Sequence, residues 1–174
     1  MECRVCKTLK EMLNDRGHTV ENFESLNELN IFPDALVIYI DSEKLGVQHV
    51  KTIEGHMKDY PKNTSILVYK NSITSFAKNA LDALENKIEI FCFKQLTYNV
   101  TQHKLVPKHI LLSKDEKQSV ITQFRVSESK IPLISEDDPI CRYFNAKVGS
   151  MFKILRPSNI TGTSVYYRIV SKST

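Results

Sequence analysis

An uninterrupted apolar run, Ala35-Leu36-Val37-Ile38-Tyr39-Ile40, is typical of a strand whose two faces are both buried. Two more apolar runs follow it, at residues 65–69 and 88–93. Amphipathic segments that we expect to be helices lie before and between these strands, at residues 2–16, 47–58 and 74–85. This alternation predicts an α/β domain in three layers, with helices covering the sheet.

The helix assignments rest on apolar side chains repeating at helical spacing. Gly17 is expected to end the first helix, and Thr74 to cap the third. The side chains expected to face inward are Val5, Leu9, Met12 and Leu13 in the first helix, Val50, Ile53 and Met57 in the second, and Phe76, Ala80, Leu81 and Leu84 in the third.

The alternation of amphipathic helices and apolar strands ends at about residue 100. Residues 103–109 are expected to be extended, because Pro107 disfavours helix at the residue before it. The sequences Ser113-Lys114-Asp115-Glu116 and Asp138-Pro139 are typical helix starts. Two strands are expected at residues 151–156 and 164–170, with residues 157–163 as a loop. These elements predict a small α+β domain at 101–174, after the α/β domain at 1–100.

Composition describes an ordinary globular chain of 174 residues, 41% hydrophobic and 25% charged. No apolar stretch reaches the roughly 18 residues of a membrane span, and the charged N-terminus does not resemble a secretory signal. Residues 1–100 carry a net charge of −2, whereas residues 101–174 carry +6. The basic C-terminal part favours nucleic acid or an acidic protein surface as a partner, although uneven charge is also common in two-domain proteins.

The four cysteines suggest neither a disulfide framework nor a zinc site. Cys3 and Cys6 have metal-like spacing, but a structural zinc site needs a second pair of ligands. His103 and His109 have no nucleophile or carboxylate near them in a catalytic pattern, so we expect them to bond to backbone. We therefore expect no catalytic residues, no metal and no cofactor.

The sequence also contains a weak match to an enzyme motif. Pro33-Asp34 and Glu85-Asn86-Lys87 follow the order of a nuclease motif that binds Mg²⁺, but Glu85 falls at a predicted helix end, away from the central strand where that chemistry is needed.

A series of short blocks in the C-terminal half is similar to a known family. The blocks are Leu105-Val106-Pro107-Lys108-His109, Leu112-Ser113, Glu116-Lys117, Glu128-Ser129, Ile131-Pro132, Asp138-Pro139, Arg142-Tyr143, Gly149, Lys153-Ile154, Arg156 with Ser158, Gly162 and Tyr167-Arg168. In the N-terminal half they are Lys10-Glu11-Met12, Asp15-Arg16-Gly17, Gly46-Val47, Lys51-Thr52, Val68-Tyr69, Asn71 and Ile73-Thr74. The chain resembles the fifth subunit of eukaryotic DNA-directed RNA polymerases, whose archaeal counterpart usually has only the C-terminal domain.

The resemblance implies a non-catalytic structural subunit whose C-terminal domain docks on the largest polymerase subunit and contacts other subunits. The subunit-interface residues expected from it are Pro107, His109, Arg142, Tyr143, Arg156, Ser158, Gly162, Tyr167 and Arg168. Arginine binds carboxylates through paired N–H groups. The alternative for Arg142, Arg156 and Arg168 is internal pairing with Glu136, Asp137 or Asp138.

The resemblance also implies that the N-terminal domain is a jaw near downstream double-stranded DNA. The residues expected near DNA are Lys70, Asn71, Thr74, Ser75 and Lys78, in the connection between the second strand and the third helix. Such a loop contacts the phosphate backbone without reading bases. The alternative is ordinary helix capping with solvated lysines.

The chain departs from the family pattern in several ways. It is shorter than typical eukaryotic members, mainly between residues 20 and 36. Asn145 stands where the family has glycine and is the best substitute in a left-handed conformation. Asn159 stands where the family has an acidic residue in the loop between the last two strands. Ser75 stands where the family has a proline.

The resemblance implies a nuclear location for a cellular protein, and a virion or a cytoplasmic viral factory for a compact viral homologue. No membrane partner is expected. A free-standing adaptor that reuses the polymerase-docking domain is the alternative from another class.

Overall fold

The computed structural model describes residues 3–61, 64–84, 87–158, 160 and 162–172. The chain divides into two compact units, Met1–Asn99 and Val100–Thr174. Each unit has its own sheet and its own helices, so the fold is of the mixed α and β type.

The N-terminal unit has the strands and helices expected from the apolar runs. Its helices are α1 (Arg4–Asp15), α2 (Val47–Asp59) and α3 (Ser75–Asp82). Its strands are β1 (Leu29–Ile31), β2 (Ala35–Ile40), β3 (Lys44–Leu45), β4 (Thr64–Tyr69), β5 (Ser72–Ile73) and β6 (Ile88–Cys92), and a 3-10 helix, Phe93–Leu96, follows β6. Predicted helices and strands are confirmed to within a few residues, with residue 85 outside the described ranges. The short strands β1, β3 and β5 were not predicted.

The main sheet of this unit has the order β1-β2-β4-β6. Strands β2, β4 and β6 are parallel, and β1 runs antiparallel at one edge. Right-handed crossovers between strands that lie in chain order place both connecting helices on one face. One core cluster accordingly joins Leu36, Ile38 and Leu67 of the sheet to Ile53 of α2 and Leu81 of α3.

Helix α1 covers the other face of this sheet. Its predicted inward residues are buried, and Val37 and Ile66 on the sheet are fully buried too. Arg16, directly after α1, donates two hydrogen bonds of 2.8 Å to the carboxylate of Glu89 on β6. The Arg16 side chain is 5% exposed and that of Glu89 19%. This ion pair fixes the end of α1 against the sheet.

Gly17 ends α1 as predicted. Its φ of 88° is left-handed, and the backbone N–H groups of Gly17 and His18 donate to the carbonyls of Asn14 and Leu13. This pair of bonds is the Schellman motif, which needs a residue that tolerates positive φ.

One expectation for α3 is wrong. Phe76 is 76% exposed, whereas Ala77 and Leu81 are buried. The inward stripe of this helix runs through Ala77, Leu81 and Leu84, and Phe76 lies about 100° away from Ala77 around the axis.

The C-terminal unit is built on a second sheet, of order β7-β9-β10-β8. Its strands are β7 (Lys108–Leu111), β8 (Leu133–Ser135), β9 (Met151–Ser158) and β10 (Gly162–Ser171). Its helices are α4 (Lys114–Phe124) and α5 (Pro139–Tyr143), with 3-10 turns at Val100–Gln102 and Glu128–Lys130. The short strands β7 and β8 were not predicted.

Helices lie on both faces of the second sheet. Phe152, Ile154 and Val170 pack with Ile140 of α5 on one face. Met151, Ile169 and Tyr167 pack with Val120 and Ile121 of α4 on the other. Both helix starts are confirmed, because Ser113 and Glu116 form the capping box and Asp138 Oδ1 accepts from the backbone N–H of Ile140 at 2.8 Å. Backbone donation from Ser113 also holds the pKa of Glu116 below its ordinary value.

Two expectations for this unit need correction. Residues 103–106 form a turn rather than an extended segment, because the Val106 N–H donates to the His103 carbonyl and the Leu105 N–H donates to the His103 ring. The expected loop at 157–163 is mostly strand. Pro157 is tolerated there because β7 pairs only as far as residue 155, leaving β9 with one neighbour.

The left-handed expectation for Asn145 is confirmed. Its φ is 49°, and it ends α5 as Gly17 ends α1, since the N–H groups of Asn145 and Ala146 donate to the carbonyls of Arg142 and Cys141. Its side chain also accepts a hydrogen bond from Lys147. Asn159, the other named departure in this unit, lies outside the described residues.

Replacing Arg16 with methionine is expected to lower the free energy of unfolding by about 3 kcal/mol, because it removes the guanidinium that pairs with the mostly buried carboxylate of Glu89. The double variant Arg16→Met/Glu89→Leu should recover most of that loss. Urea denaturation of the full chain measures both values.

The exposed pair Lys58–Glu54, at 2.7 Å, supplies the matched control. Lys58→Met should change stability by less than about 0.5 kcal/mol. A double variant no more stable than Arg16→Met would show that the pair does not hold α1 in place.

For Asn145, substitution by glycine is expected to change stability by no more than about 0.5 kcal/mol, since glycine adopts positive φ without strain but gains freedom in the unfolded chain. Asn145→Ala should cost about 1 kcal/mol, because alanine lacks the local hydrogen bond. Thermal melting of the two variants provides the comparison, and equal melting temperatures would contradict the expectation.

Candidate functional site

The C-terminal unit contains an open groove of about 420 Å³. We call it the arginine groove, and define it by six side chains from four elements: His109 of β7, Ile154 and Arg156 of β9, Tyr166 and Arg168 of β10, and Ile140 of α5. Of the predicted interface residues, Pro107, His109, Arg156, Tyr167 and Arg168 line it. The hairpin register and the placement of α5 bring these distant residues together.

The register of β9 and β10 explains why the two arginines share a face. Tyr166 lies opposite Ile154, and Arg168 lies opposite Phe152. Because directly opposed residues project to the same side, Ile154, Arg156, Tyr166 and Arg168 all lie on the face that α5 covers in part. The exposed part of this face is polar at its rim and apolar at its floor.

The contacts of the two arginines in the groove are with a ring and a backbone carbonyl. The Arg156 guanidinium lies 5.7 Å from the centre of the Tyr166 ring. Arg168 Nη1 is 3.5 Å from the Leu133 carbonyl oxygen. Within the described ranges, neither arginine has a carboxylate within 4 Å. Internal pairing of Arg156 or Arg168 with Glu136, Asp137 or Asp138 is therefore not observed.

His109 also forms a local backbone bond, and the predicted interface residues outside the groove have different surroundings. His109 Nδ1 donates to the Pro107 carbonyl at 2.7 Å, which is the backbone role expected for it. Tyr143 is only 4% exposed and its ring packs on Phe144. Arg142 also belongs to α5, while Ser158 and Gly162 pair with each other where β9 and β10 meet their connecting turn. Arg142, Tyr143, Ser158 and Gly162 do not line the groove.

In the N-terminal unit, the residues expected near DNA follow the carboxyl end of β4. Ser72 and Ile73 within this connection form β5, which pairs with β3. Thr74 caps α3, since its hydroxyl accepts from the Ala77 N–H and donates to the Leu45 carbonyl. Asn71, Ser75 and Lys78 are exposed. Thr74 therefore has the helix-capping role that was given above as the alternative to a DNA contact.

The two lysines of this connection differ in their electrostatics. Lys70 forms an ion pair with Asp41 at 2.6 Å, and the hydrogen bond that Lys70 donates to that carboxylate raises the pKa of Lys70. Burial, together with Asp41, raises the pKa of the nearby Tyr39. In the part of the chain that the structure describes, Lys78 has no ion pair. The positive charge of Lys78 is therefore less neutralised by nearby carboxylates than that of Lys70.

Sequence reasoning missed several features of these surfaces. Tyr166 has a cation–π contact that only the hairpin register could have predicted. The Asp41–Lys70 pair joins the ends of two adjacent parallel strands, which the strand assignments could have suggested. The exposed Phe76 and Val47, both in first turns of helices, were not recognised as surface residues.

No metal or membrane feature is found in the described residues. They contain no group of three or more His, Cys, Asp or Glu side chains able to hold a metal ion, and no disulfide joins Cys3 to Cys6. Of the possible nuclease motif, Glu85 and Asn86 lie outside the described residues. None of the described helices combines the length and apolar character of a membrane-crossing segment.

Comparisons with known proteins give the chain its family. Residues 98–170 match the family model "RNA polymerase Rpb5, C-terminal domain". The chain is 35% identical, over 95% of both chains, to "DNA-directed RNA polymerases I, II, and III subunit rpabc1" of Dictyostelium discoideum. It is 27% identical to the RPABC1 subunits of Caenorhabditis briggsae and Caenorhabditis elegans, over 96% of this chain and 94% of each relative.

These alignments extend over 187 and 198 positions, more than the 174 residues of this chain, so the relatives have residues that this chain lacks. Both units are covered by the similarity, and it includes the arginine groove and the connection after β4. The chain belongs to the Rpb5 family, the fifth subunit of DNA-directed RNA polymerases.

Proposed function

We propose that this chain is a non-catalytic structural subunit of a multisubunit DNA-directed RNA polymerase. The observation that carries the proposal is the 35% identity to a subunit of RNA polymerases I, II and III over 95% of both chains. A similarity that spans two units, each with its own core, favours a shared role for the whole chain over the borrowing of one domain by an adaptor. In a cellular organism this role places the protein in the nucleus.

The C-terminal unit is proposed to anchor the chain on the largest polymerase subunit. Support comes from the arginine groove, whose two cations are exposed and have no internal carboxylate partner among the described residues. Aromatic and arginine side chains are enriched in protein interfaces, and Arg156 with Tyr166 combines the two types. The net charge of +6 over residues 101–174 adds an attraction for an acidic surface.

The N-terminal unit is proposed to act as a jaw that supports downstream double-stranded DNA. The support is the placement of Lys70 and Lys78 beside the start of α3, where free backbone N–H groups favour phosphate. A contact of this kind is independent of base sequence and weakens as salt rises. Because Asp41 partly neutralises Lys70, Lys78 is expected to contribute more to DNA binding.

The anchoring proposal is tested by expressing residues 1–99 and 100–174 as separate tagged chains in cells that contain the polymerase. We expect residues 100–174 to co-purify with the largest subunit and residues 1–99 to be absent from the complex, with mass spectrometry identifying the subunits. Circular dichroism of each purified piece must show folded structure. Assembly of a folded 1–99 piece into polymerase without the other would contradict the proposal.

The DNA proposal is tested with the full chain carrying Lys70→Gln and Lys78→Gln. Assembly should be unchanged, whereas elongation complexes should dissociate faster at moderate salt. The slope of the logarithm of elongation-complex stability against the logarithm of salt concentration should fall by about 1 to 2, with the larger share from Lys78 because Asp41 partly neutralises Lys70.

The double variant Lys58→Gln/Lys87→Gln is the matched control. Both lysines are exposed and lie near the opposite end of the strands, where β4 and β6 begin. Equal salt slopes for the two double variants would exclude the DNA contact.

A further inference from the structure

The chemistry of the arginine groove identifies the kind of segment that it binds. This inference rests on the proposed function of the C-terminal unit as the part that anchors to polymerase. The groove has an apolar floor, formed by Ile134, Ile140 and Ile154, each less than 10% exposed. Pro107 and Pro139 add apolar surface to its walls. Such a floor accommodates an apolar side chain of a partner.

The rim of the groove carries a net positive charge, because it has two guanidinium groups and one carboxylate. Asp138 is the acidic residue in the groove lining, and its carboxylate already accepts the Ile140 N–H at the start of α5. Arg156 and Arg168 are exposed; among the described residues, Arg156 lies over the Tyr166 ring and Arg168 is close to the Leu133 carbonyl oxygen. Two guanidinium groups, neither with a carboxylate within 4 Å among the described residues, therefore flank an apolar floor.

The spacing of the two arginines follows from the strand register. Arg156 lies opposite Ser164, which is four residues before Arg168 on the same strand. At about 3.3 Å per residue, the two backbone positions are about 13 Å apart along the strand, with Tyr166 and Ile154 between them. Four residues of another extended chain span the same length. In such a chain, side chains at positions one, three and five project to one side.

We propose that the arginine groove binds an extended segment of a partner polypeptide in which two carboxylates flank an apolar residue at alternate positions. The pattern is acidic, any residue, apolar, any residue, acidic. The acidic side chains pair with Arg156 and Arg168, and the apolar side chain rests on the isoleucine floor. A nucleic-acid backbone fits less well, because it offers no apolar side chain between its phosphates.

The probe for this proposal is a fluorescein-labelled nine-residue peptide with the core Glu-Thr-Leu-Thr-Glu, titrated with the full chain and followed by fluorescence anisotropy. We expect binding that weakens at least tenfold when both glutamates are replaced by glutamine, since charge-assisted hydrogen bonds are lost. Replacing the leucine with serine, or shortening the core to Glu-Leu-Glu, should weaken binding several-fold.

On the protein side, Arg156→Gln and Arg168→Gln should each weaken binding of the glutamate peptide about tenfold while leaving the affinity for the glutamine peptide unchanged. Lys114→Gln and Lys130→Gln are matched controls, because both residues are exposed cations outside the groove lining and should have no effect. Equal binding of the two peptides, or no binding at millimolar concentration, would overturn the proposal.

Two other occupants are separate outcomes of the same experiment. Self-association that is lost in Arg156→Gln, measured by sedimentation, would assign the groove to a second copy of this chain. Displacement of the peptide by a short DNA duplex would assign it to phosphate. Either result overturns the inference, whereas the anchoring proposal is tested separately, by whether residues 100–174 co-purify with the largest polymerase subunit.

Discussion

Both units depend on the pleat of the β-strand, which sends successive side chains to opposite faces of a sheet. In β2, residues 35–38 are all buried, so both faces of that strand need a cover of helices. In β9 and β10 the alternation is the same, but the helices cover only part of each face. The uncovered part of one face carries Arg156, Tyr166 and Arg168. The same constraint therefore yields a closed core in one unit and an exposed groove in the other.

The closed core needs α1 to be held against the sheet, and two adjacent residues achieve this. Gly17 turns the chain at a positive φ that other residues adopt at a cost, and Arg16 forms the half-buried ion pair with Glu89. Buried charges are costly unless both partners are present, so the pair constrains where the helix ends more than it adds stability. This gives a physical reason for the similarity of Asp15-Arg16-Gly17 to the Rpb5 family.

The parts of the fold that were predictable are those whose signal is local. The run at 35–40 predicted β2, and the capping residues at 113 and 138 predicted the starts of α4 and α5, because each pattern is contained within a few neighbouring positions. The strands β3, β5 and β8 have two or three residues each and become strands only through distant partners.

Phe76 was assigned to the core since its spacing suited a helix, but spacing alone does not tell which side of a short helix faces the sheet. The arginines were identified from composition and resemblance, whereas their grouping with Tyr166 and Ile154 required the register of the hairpin.

The electrostatic difference between the two surfaces matches the roles proposed for them. In the N-terminal unit, Asp41 shares the charge of Lys70, which leaves a weak attraction for phosphate that salt screens further. A jaw must allow DNA to move past it, and a weak contact without base recognition suits that need. In the C-terminal unit the arginines have no acidic partner among the described residues, and the surface beside them is apolar, so a bound carboxylate would be partly shielded from water. Shielding strengthens such a pair only when both charges are satisfied. The groove is consequently suited to one complementary segment held for as long as the assembly lasts.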